Sequence, residues 1–199
     1  PRETPVGTYP NPSMTLDYRR FSNDQILDLY RNERDNIREF DSVNPITTNF
    51  MSMKHTSVLD YWQWAPEVDF VATDHYLIAD DERNYIDLAF QADLTRGFAG
   101  GKPWLLMEHS TSAVNWQERN IAKADGEMLA NSLSHIARGS NGAMFFQWRQ
   151  SISGSEKFHS AMVPHTGEQS RVWQNVKQLG SKLNELNVLA GTETEPAEV

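Results

Sequence analysis

The stretch Pro103-Trp104-Leu105-Leu106-Met107-Glu108 decides the fold of this chain. Its apolar residues predict a short buried strand, because a strand covered on both faces reads as a continuous apolar run. The polar segment 109–117 follows at once and is typical of a loop. Glu108 would then lie at the carboxyl end of a buried strand, where (β/α) barrel enzymes carry catalytic groups. Taken alone, the same acid is equally well a surface carboxylate at a strand end.

Strand and helix patterns alternate on both sides of this stretch. Predicted strands cover 45–51, 68–73, 103–107 and 142–148, and predicted helices cover 22–40, 60–65, 81–98, 124–138 and 172–186. No hairpin signal separates the strands, so the pattern predicts an α/β fold with a parallel sheet. Because 199 residues are fewer than the roughly 250 of a full barrel, the chain is either a small open α/β domain or half of a barrel. No GxGxxG or GxxxxGK[ST] motif supports a nucleotide-binding open sheet.

The two ends of the chain are predicted to lie outside this alternation, in a single domain over residues 1–191. Residues 1–20 are expected to form an irregular lead-in, because they are rich in proline. Ser22 with Gln25 fits the capping box that starts a helix. The predicted apolar face of that helix consists of Ile26, Tyr30, Ile37 and Phe40. The acidic tail 192–199 is expected to be loose.

Composition excludes several classes of partner and site. The formal net charge of −9 argues against nucleic acid and anionic membranes, which attract basic surfaces. The absence of cysteine excludes disulfides and thiolate metal sites. No apolar run approaches the roughly 18 residues of a membrane span, and the proline-rich start does not fit a signal peptide, so a cytoplasmic location is the default expectation. A start at Pro1 also leads us to expect a chain cut from a longer one.

Polar or aromatic residues follow all four predicted strands. They are Asn49, then Asp74-His75-Tyr76, then Glu108-His109, then Trp148-Arg149-Gln150. Because the carboxyl ends of parallel strands meet at one edge, four such ends favour an active-site rim over a solvated face. Glu156 and His159 have the spacing of a metal-ligand pair, but di-metal sites need a second such pair with further carboxylates. We therefore expect no metal site.

These segments resemble the glycoside hydrolases of family 42, the bacterial β-galactosidases. The resemblance is carried by blocks in order along nearly the whole chain, at 16–21, 47–51, 103–109, 114–117, 142–151 and 156–165. It implies the second half of a catalytic (β/α)8 TIM barrel, its fifth to eighth strands, with Glu108 as the nucleophile. The residues that it implies for galactose binding are Trp116, Glu156 and His159. Related barrel glycosidases place a partner of the nucleophile at the position of Tyr76 and a sugar wall at that of Trp148.

The resemblance also implies what this segment lacks. In the family, the acid/base glutamate and a sugar-binding arginine come from the first half of the barrel, and a trimer-forming domain follows it. We therefore expect a fragment of a retaining β-galactosidase for terminal non-reducing β-D-galactosyl residues. It would need no cofactor, would be inactive without the remainder of the enzyme, and would self-associate through uncovered strand edges. A non-catalytic carbohydrate-binding or interaction module is the alternative, and a metal-dependent hydrolase is the third hypothesis.

Overall fold

A computed structural model of the chain describes residues 7–52, 59–192 and 194–195. Its centre is a four-stranded sheet in the order β1-β2-β3-β4, and every neighbouring pair is parallel. The strands are β1 (Asn49–Phe50), β2 (Ala72–Asp74), β3 (Trp104–Glu108) and β4 (Ser140–Ala143). The predicted α/β fold with a parallel sheet is therefore confirmed.

Helices connect the strands and flank the sheet. The α-helices are α1 (Pro12–Arg38), α2 (Tyr61–Trp64), α3 (Asn84–Phe98), α4 (Glu127–Ala137) and α5 (Arg171–Glu185). Short 3₁₀ helices cover Ala65–Glu67, Ser155–Phe158, Gly167–Gln169 and Leu186–Leu189. Among the helices of the described ranges, none is both long and apolar enough to cross a membrane.

The first helix begins well before its predicted start, so the prediction of an irregular lead-in over 1–20 is wrong from Pro12 onwards. Asn11 caps α1, because its side-chain oxygen accepts hydrogen bonds from two backbone N–H groups of the first turn. Pro12 occupies the first helical position, where its missing N–H costs nothing. Ser22, the predicted cap, lies inside the helix. The prolines therefore mark a helix start.

The inward face of α1 also differs from the predicted one. Tyr30 is buried as predicted, and it is joined by Leu27 and the polar Asn23. The predicted core residues that are exposed instead are Ile26, Ile37 and Phe40. The side-chain oxygen of Asn23 accepts from Trp64 Nε1 and from the backbone N–H of Asp60, both at 2.9 Å. A buried amide thus sets the orientation of the helix, and hydrophobic periodicity does not count such a residue.

The strand β4 starts and ends earlier than the predicted segment 142–148. Beyond its end the chain runs beside the exit of β3, where the N–H of Met144 donates to the Leu106 carbonyl at 2.9 Å. The N–H of Phe146 likewise donates to the His109 carbonyl at 3.1 Å. Backbone hydrogen bonds to β3 and to the residue after it therefore continue beyond the end of β4. Trp148 lies outside the strand and does not mark its end.

Other predicted boundaries are shifted or only partly described. β1 covers two residues of the predicted segment 45–51. In the acidic tail, residues 192, 194 and 195 are exposed, and the rest of 192–199 lies outside the described residues. Residues 1–6 of the predicted lead-in also lie outside them.

Two clusters of apolar side chains pack around the sheet and position the carboxyl ends of its strands. The larger consists of Leu27, Tyr30, Phe50, Tyr61, Trp64, Val68, Val71, Ala92, Trp104 and Leu106, and it joins α1, α2 and α3 to the sheet. The smaller lies next to the carboxyl ends of the strands and consists of Tyr76 and Val114, with Met51 and Phe146 packed against them. The larger cluster packs the helices against the sheet, whereas the smaller one forms the base of the site described next.

Candidate active site

A cavity of about 390 Å³ opens at the carboxyl ends of the strands. Its lining residues are Met51, Asp74, Tyr76, Glu108, Trp116, Phe146, Glu156 and His159. The volume lies in the range typical of small-molecule sites. The fold therefore brings together five of the six side chains that the sequence singled out, and Trp148 is the one that does not line the cavity.

Glu108 is the last residue of β3 and is partly buried at the cavity. The hydroxyl of Tyr76 donates to its Oε2 at 2.7 Å, and Asn49 Nδ2 lies 3.4 Å from its Oε1. Burial, the hydrogen bond to Glu108 and the charge of that acid raise the pKa of Tyr76 above its usual value. Tyr76 therefore stays protonated and holds Oε2 of Glu108, while Oε1 has, among the described residues, the longer contact with Asn49.

Asp74 is a second acid in the same cavity. It ends β2 and lies beside Glu108 in the strand register. Asn49 Nδ2 donates to both of its carboxylate oxygens, at 2.9 and 3.0 Å. Burial raises the pKa of Asp74 to about 6, opposed by the Asn49 hydrogen bond and assisted by the nearby charge of Glu108. Sequence reasoning placed Asp74 at a strand end but gave it no role. Its spacing of two from Tyr76 was the available signal, because alternate residues share a face.

The histidines of the same strand ends face away from the cavity. His75 and His109 are buried, and neither contributes to the cavity lining. His109 Nδ1 donates to the His75 carbonyl at 2.9 Å, and His75 Nδ1 lies 3.0 Å from His135 Nε2. Within the part of the chain that the structure describes, no group of three or more His, Cys, Asp or Glu side chains is arranged to hold a metal ion.

Glu156 and His159 bring open hydrogen-bonding atoms to the cavity. Glu156 lies on the 3₁₀ helix Ser155–Phe158, and the fully buried His159 follows it. His159 Nδ1 donates to the carbonyl of Ser160 at 2.9 Å, so Nε2 is the ring nitrogen left for a ligand. Nε2 of His159 and Oε2 of Glu156 are buried, and no described residue lies within hydrogen-bonding reach of either atom. Buried polar atoms are rarely left unpaired, so these two atoms are suited to ligand hydroxyls.

Aromatic rings form the remaining wall. The ring of Tyr76 meets Trp116 edge-on at 5.4 Å between centroids and His159 at 5.9 Å. Trp116 is 53% exposed, so much of its indole is available for stacking. Trp148 is 61% exposed, and its ring meets Trp173 at 6.2 Å. Its assignment as a sugar wall therefore stays a prediction.

Comparison with known proteins gives concordant matches over nearly the whole chain. The model of glycoside hydrolase family 42, described as Beta-galactosidase, matches residues 1–186. A β-galactosidase from Arthrobacter sp is 54% identical over 194 residues, which cover 96% of this chain and 28% of the relative. The β-galactosidase BbgII of Bifidobacterium bifidum is 43% identical over 201 residues, covering 100% of this chain and 29% of the relative.

Solved structures agree with the sequence relatives. Gan42B, a GH42 β-galactosidase from G. stearothermophilus, matches with a TM-score of 0.90 at 35% identity, over 98% of this chain and 30% of that one. The β-galactosidase of Rahnella sp. R3 matches with a TM-score of 0.88 at 34% identity, over 96% of this chain and 29% of that one. The chain thus spans less than a third of the length of these relatives. By sequence and by fold, it belongs to glycoside hydrolase family 42, the β-galactosidase family.

Proposed function

We propose that this chain supplies the nucleophile side of the active site of a retaining β-galactosidase, which hydrolyses terminal non-reducing β-D-galactosyl residues. The observation that carries the proposal is the placement of Glu108 at a strand end, in a cavity where Tyr76 donates to its carboxylate. The unpaired atoms of Glu156 and His159 in the same cavity support a polyhydroxylated ligand.

The four strands are proposed to be the fifth to eighth strands of a (β/α)8 TIM barrel, with residues 1–191 forming that half. Their parallel, sequential order supports this assignment, because a barrel orders its strands in the same way. The remainder of the same enzyme is then the principal partner. It would supply the first half of the barrel and the trimer-forming domain, and no cofactor is required.

In the proposed mechanism, the ionised Glu108 attacks the anomeric carbon and forms a glycosyl-enzyme. The leaving oxygen takes a proton from a second carboxyl group, which then helps water to release galactose and regenerate Glu108. Tyr76 stabilises the ionised carboxylate through Oε2, so the other oxygen is the one that attacks. The hydrogen bond weakens as the carboxylate becomes an ester, because the acceptor loses its charge.

Asp74 does not take the role of the second carboxyl group. In a retaining enzyme the two carboxyl groups flank the sugar from opposite sides, roughly 5–5.5 Å apart. Asp74 is instead the neighbour of Glu108 on the adjacent strand, and both of its oxygens accept from Asn49. The family resemblance assigns the acid/base to the first half of the barrel, so we expect the isolated chain to be inactive.

The sugar is proposed to lie on Trp116, with its hydroxyls donating to the free atoms of Glu156 and His159. A Trp face packs on the C–H surface of a sugar ring. Unpaired acceptor atoms favour a sugar that carries a hydroxyl at the matching position. An analogue without that hydroxyl leaves the buried acceptor without a hydrogen bond and therefore binds much more weakly.

A chimera tests the proposal. This chain replaces the matching segment of the Arthrobacter β-galactosidase, and turnover of a chromogenic β-galactoside is measured. We expect turnover in the chimera, a loss of at least about 10⁴-fold in Glu108→Gln, and no turnover by the chain alone. Glu118→Gln, an exposed acid on the loop after β3, is the matched control.

The opposite results are equally informative. Robust turnover by the isolated chain, or by the Glu108→Gln chimera, would contradict the proposal. Galactose binding by calorimetry in a folded chimera that has no turnover would favour the non-catalytic carbohydrate-binding module. Activity that is lost with a chelator and restored by a divalent metal would favour the metal-dependent hydrolase.

The isolated chain is also proposed to self-associate. In the part of the chain that the structure describes, β1 and β4 each pair with one neighbouring strand, so both present strand edges. Large apolar side chains are also exposed, among them Tyr9, Phe40, Val43 and Val188. Light scattering across a concentration series is expected to show dimers or larger species, and a monomer at every concentration would contradict this.

A further inference from the structure

Gln117 directly follows Trp116 in the chain and binds the loop after β2. Its Nε2 donates to the carbonyl of Leu77 at 2.7 Å, and its Oε1 accepts from the N–H of Ala79 at 3.2 Å. Leu77 follows Tyr76, whose ring meets Trp116 edge-on at 5.4 Å. One amide therefore makes a two-point contact between the loops that carry these two aromatic residues.

Asn115 directly precedes Trp116 and binds a different loop. Its Nδ2 donates to the carbonyl of Ser155 at 2.6 Å. Ser155 is followed by Glu156, which lines the cavity. Trp116 is thus flanked by two amides, one bonded to the loop of Tyr76 and the other to the loop of Glu156.

The location of these amides separates them from the residues that meet the ligand. Neither Asn115 nor Gln117 lines the cavity, and both are partly buried. Trp116 itself is 53% exposed, so its own packing fixes its position only in part. Besides its contact with Tyr76, Trp116 is flanked by backbone that the two amides join to neighbouring loops.

We propose that Asn115 and Gln117 are positioning residues, which hold Trp116 in place by joining its loop to the loops of Tyr76 and Glu156. The inference rests on the proposed function, in which Trp116 binds galactose. Without the amide contacts, Trp116 becomes mobile and the sugar binds more weakly. The hydrogen bond from Tyr76 to Glu108 involves neither amide, so the bond-breaking step is preserved.

The test uses the chimera described above, with Gln117→Met. Methionine keeps the length of the side chain and removes both its donor and its acceptor. We expect KM to rise about tenfold while kcat changes less than about twofold. The matched control is Gln174→Met on α5, because Gln174 is exposed and donates to the carbonyl of Glu168 at 2.9 Å. It should leave both constants unchanged.

A double-mutant cycle separates positioning from a general structural role. In a Trp116→Ala background, adding Gln117→Met should lower kcat/KM less than about twofold, because the group that Gln117 positions is already absent. An equal effect in both backgrounds would overturn the inference. So would an unchanged KM in a folded Gln117→Met chimera.

Thermal unfolding establishes whether Gln117→Met is folded. If it is not folded, Gln117→Glu is measured instead, because glutamate keeps the acceptor for the Ala79 N–H and loses the donor to the Leu77 carbonyl. A raised KM in this variant supports the inference, and an unchanged KM overturns it. Failure of the proposed function is distinguishable. It would appear as no turnover in the parent chimera or as turnover that survives Glu108→Gln, whatever residue stands at 117.

Discussion

The two faces of the strand ends β2 and β3 carry similar polar residues in very different environments. On the cavity face, Asp74, Tyr76 and Glu108 surround an open volume. On the opposite face, His75 and His109 are buried against the rest of the fold. Successive residues of a strand point to opposite sides, so a step of one residue changes the environment completely.

The opposite face binds its polar groups mainly to the backbone. The ammonium of Lys123 donates to the carbonyl of Ser110 and lies 3.3 Å from His109 Nε2, and His135 Nδ1 donates to the Asn131 carbonyl at 2.8 Å. Burial lowers the pKa of His109 well below its usual range, and it lowers that of His135 to about 3. His109 and His135 are therefore neutral hydrogen-bonding partners, and the ammonium of Lys123 joins His109 to the loop after Glu108. A polar strand end therefore indicates chemistry only where it faces open volume.

After the loss expected for Glu108→Gln, the largest effect is expected at Tyr76 on the cavity face. Tyr76→Phe in the chimera should lower kcat about 10²-fold, because it removes the hydrogen bond that holds the Glu108 carboxylate in the orientation needed for attack. Steady-state kinetics measures this, with Tyr85→Phe as control because Tyr85 is exposed on α3. A kcat within about twofold of the parent would remove Tyr76 from the proposed mechanism.

The second prediction tests the opposite face. Burial lowers the pKa of Lys123 to about 7 from its ordinary 10.5. Between these values the unfolded chain binds the extra proton, so the free energy of unfolding should rise by about 3 kcal/mol from about pH 7 to about pH 10. Urea unfolding of Lys123→Met should lack this rise, whereas the exposed Lys102→Met should keep it. The same pH dependence in all three proteins would contradict the lowered pKa of the buried Lys123 ammonium.

A third prediction concerns the buried acid of the cavity face. The pKa of Asp74 is raised to about 6 from its ordinary 3.8. Its contribution to stability is therefore fully present below about 3.8 and is lost as the pH rises through about 6. Relative to the unmodified chain, Asp74→Asn should gain about 2 kcal/mol in urea unfolding between about pH 4 and about pH 7. Asp17→Asn, at an exposed site, should show no gain, and a constant difference for Asp74→Asn would refute the raised pKa.

The smallest effect is expected outside the cavity. Trp148→Ala should change kcat/KM of the chimera less than about threefold, because its ring lies against Trp173 rather than in the cavity lining. Trp116→Ala is the contrasting variant and should cost about tenfold or more. A loss at Trp148 as large as that at Trp116 would instead support the sugar wall that the sequence predicts.

The sequence predicted the strands of the sheet better than it predicted the start and the buried face of α1. Apolar runs identified all four strand regions, because buried parallel strands have that local signature. The start of α1 was missed because Asn11-Pro12 reads as irregular chain unless the cap is recognised. The inward face was missed because Asn23 satisfies donors from distant residues. Such contacts depend on partners far away in the chain, so periodicity within one segment cannot report them.

The sequence by itself determined the order of strands and helices, the place of Glu108 at a strand end, and the blocks that carry the family resemblance. These features are local, since backbone preference and apolar period are set within a few residues. Only the tertiary structure decided that Asp74 and Tyr76 share the cavity with Glu108, that His75 and His109 do not, and that Trp148 lies outside its lining. The physical reason is that strand register, and loops that meet from distant parts of the chain, fix which side of the sheet a residue faces and how deeply it is buried.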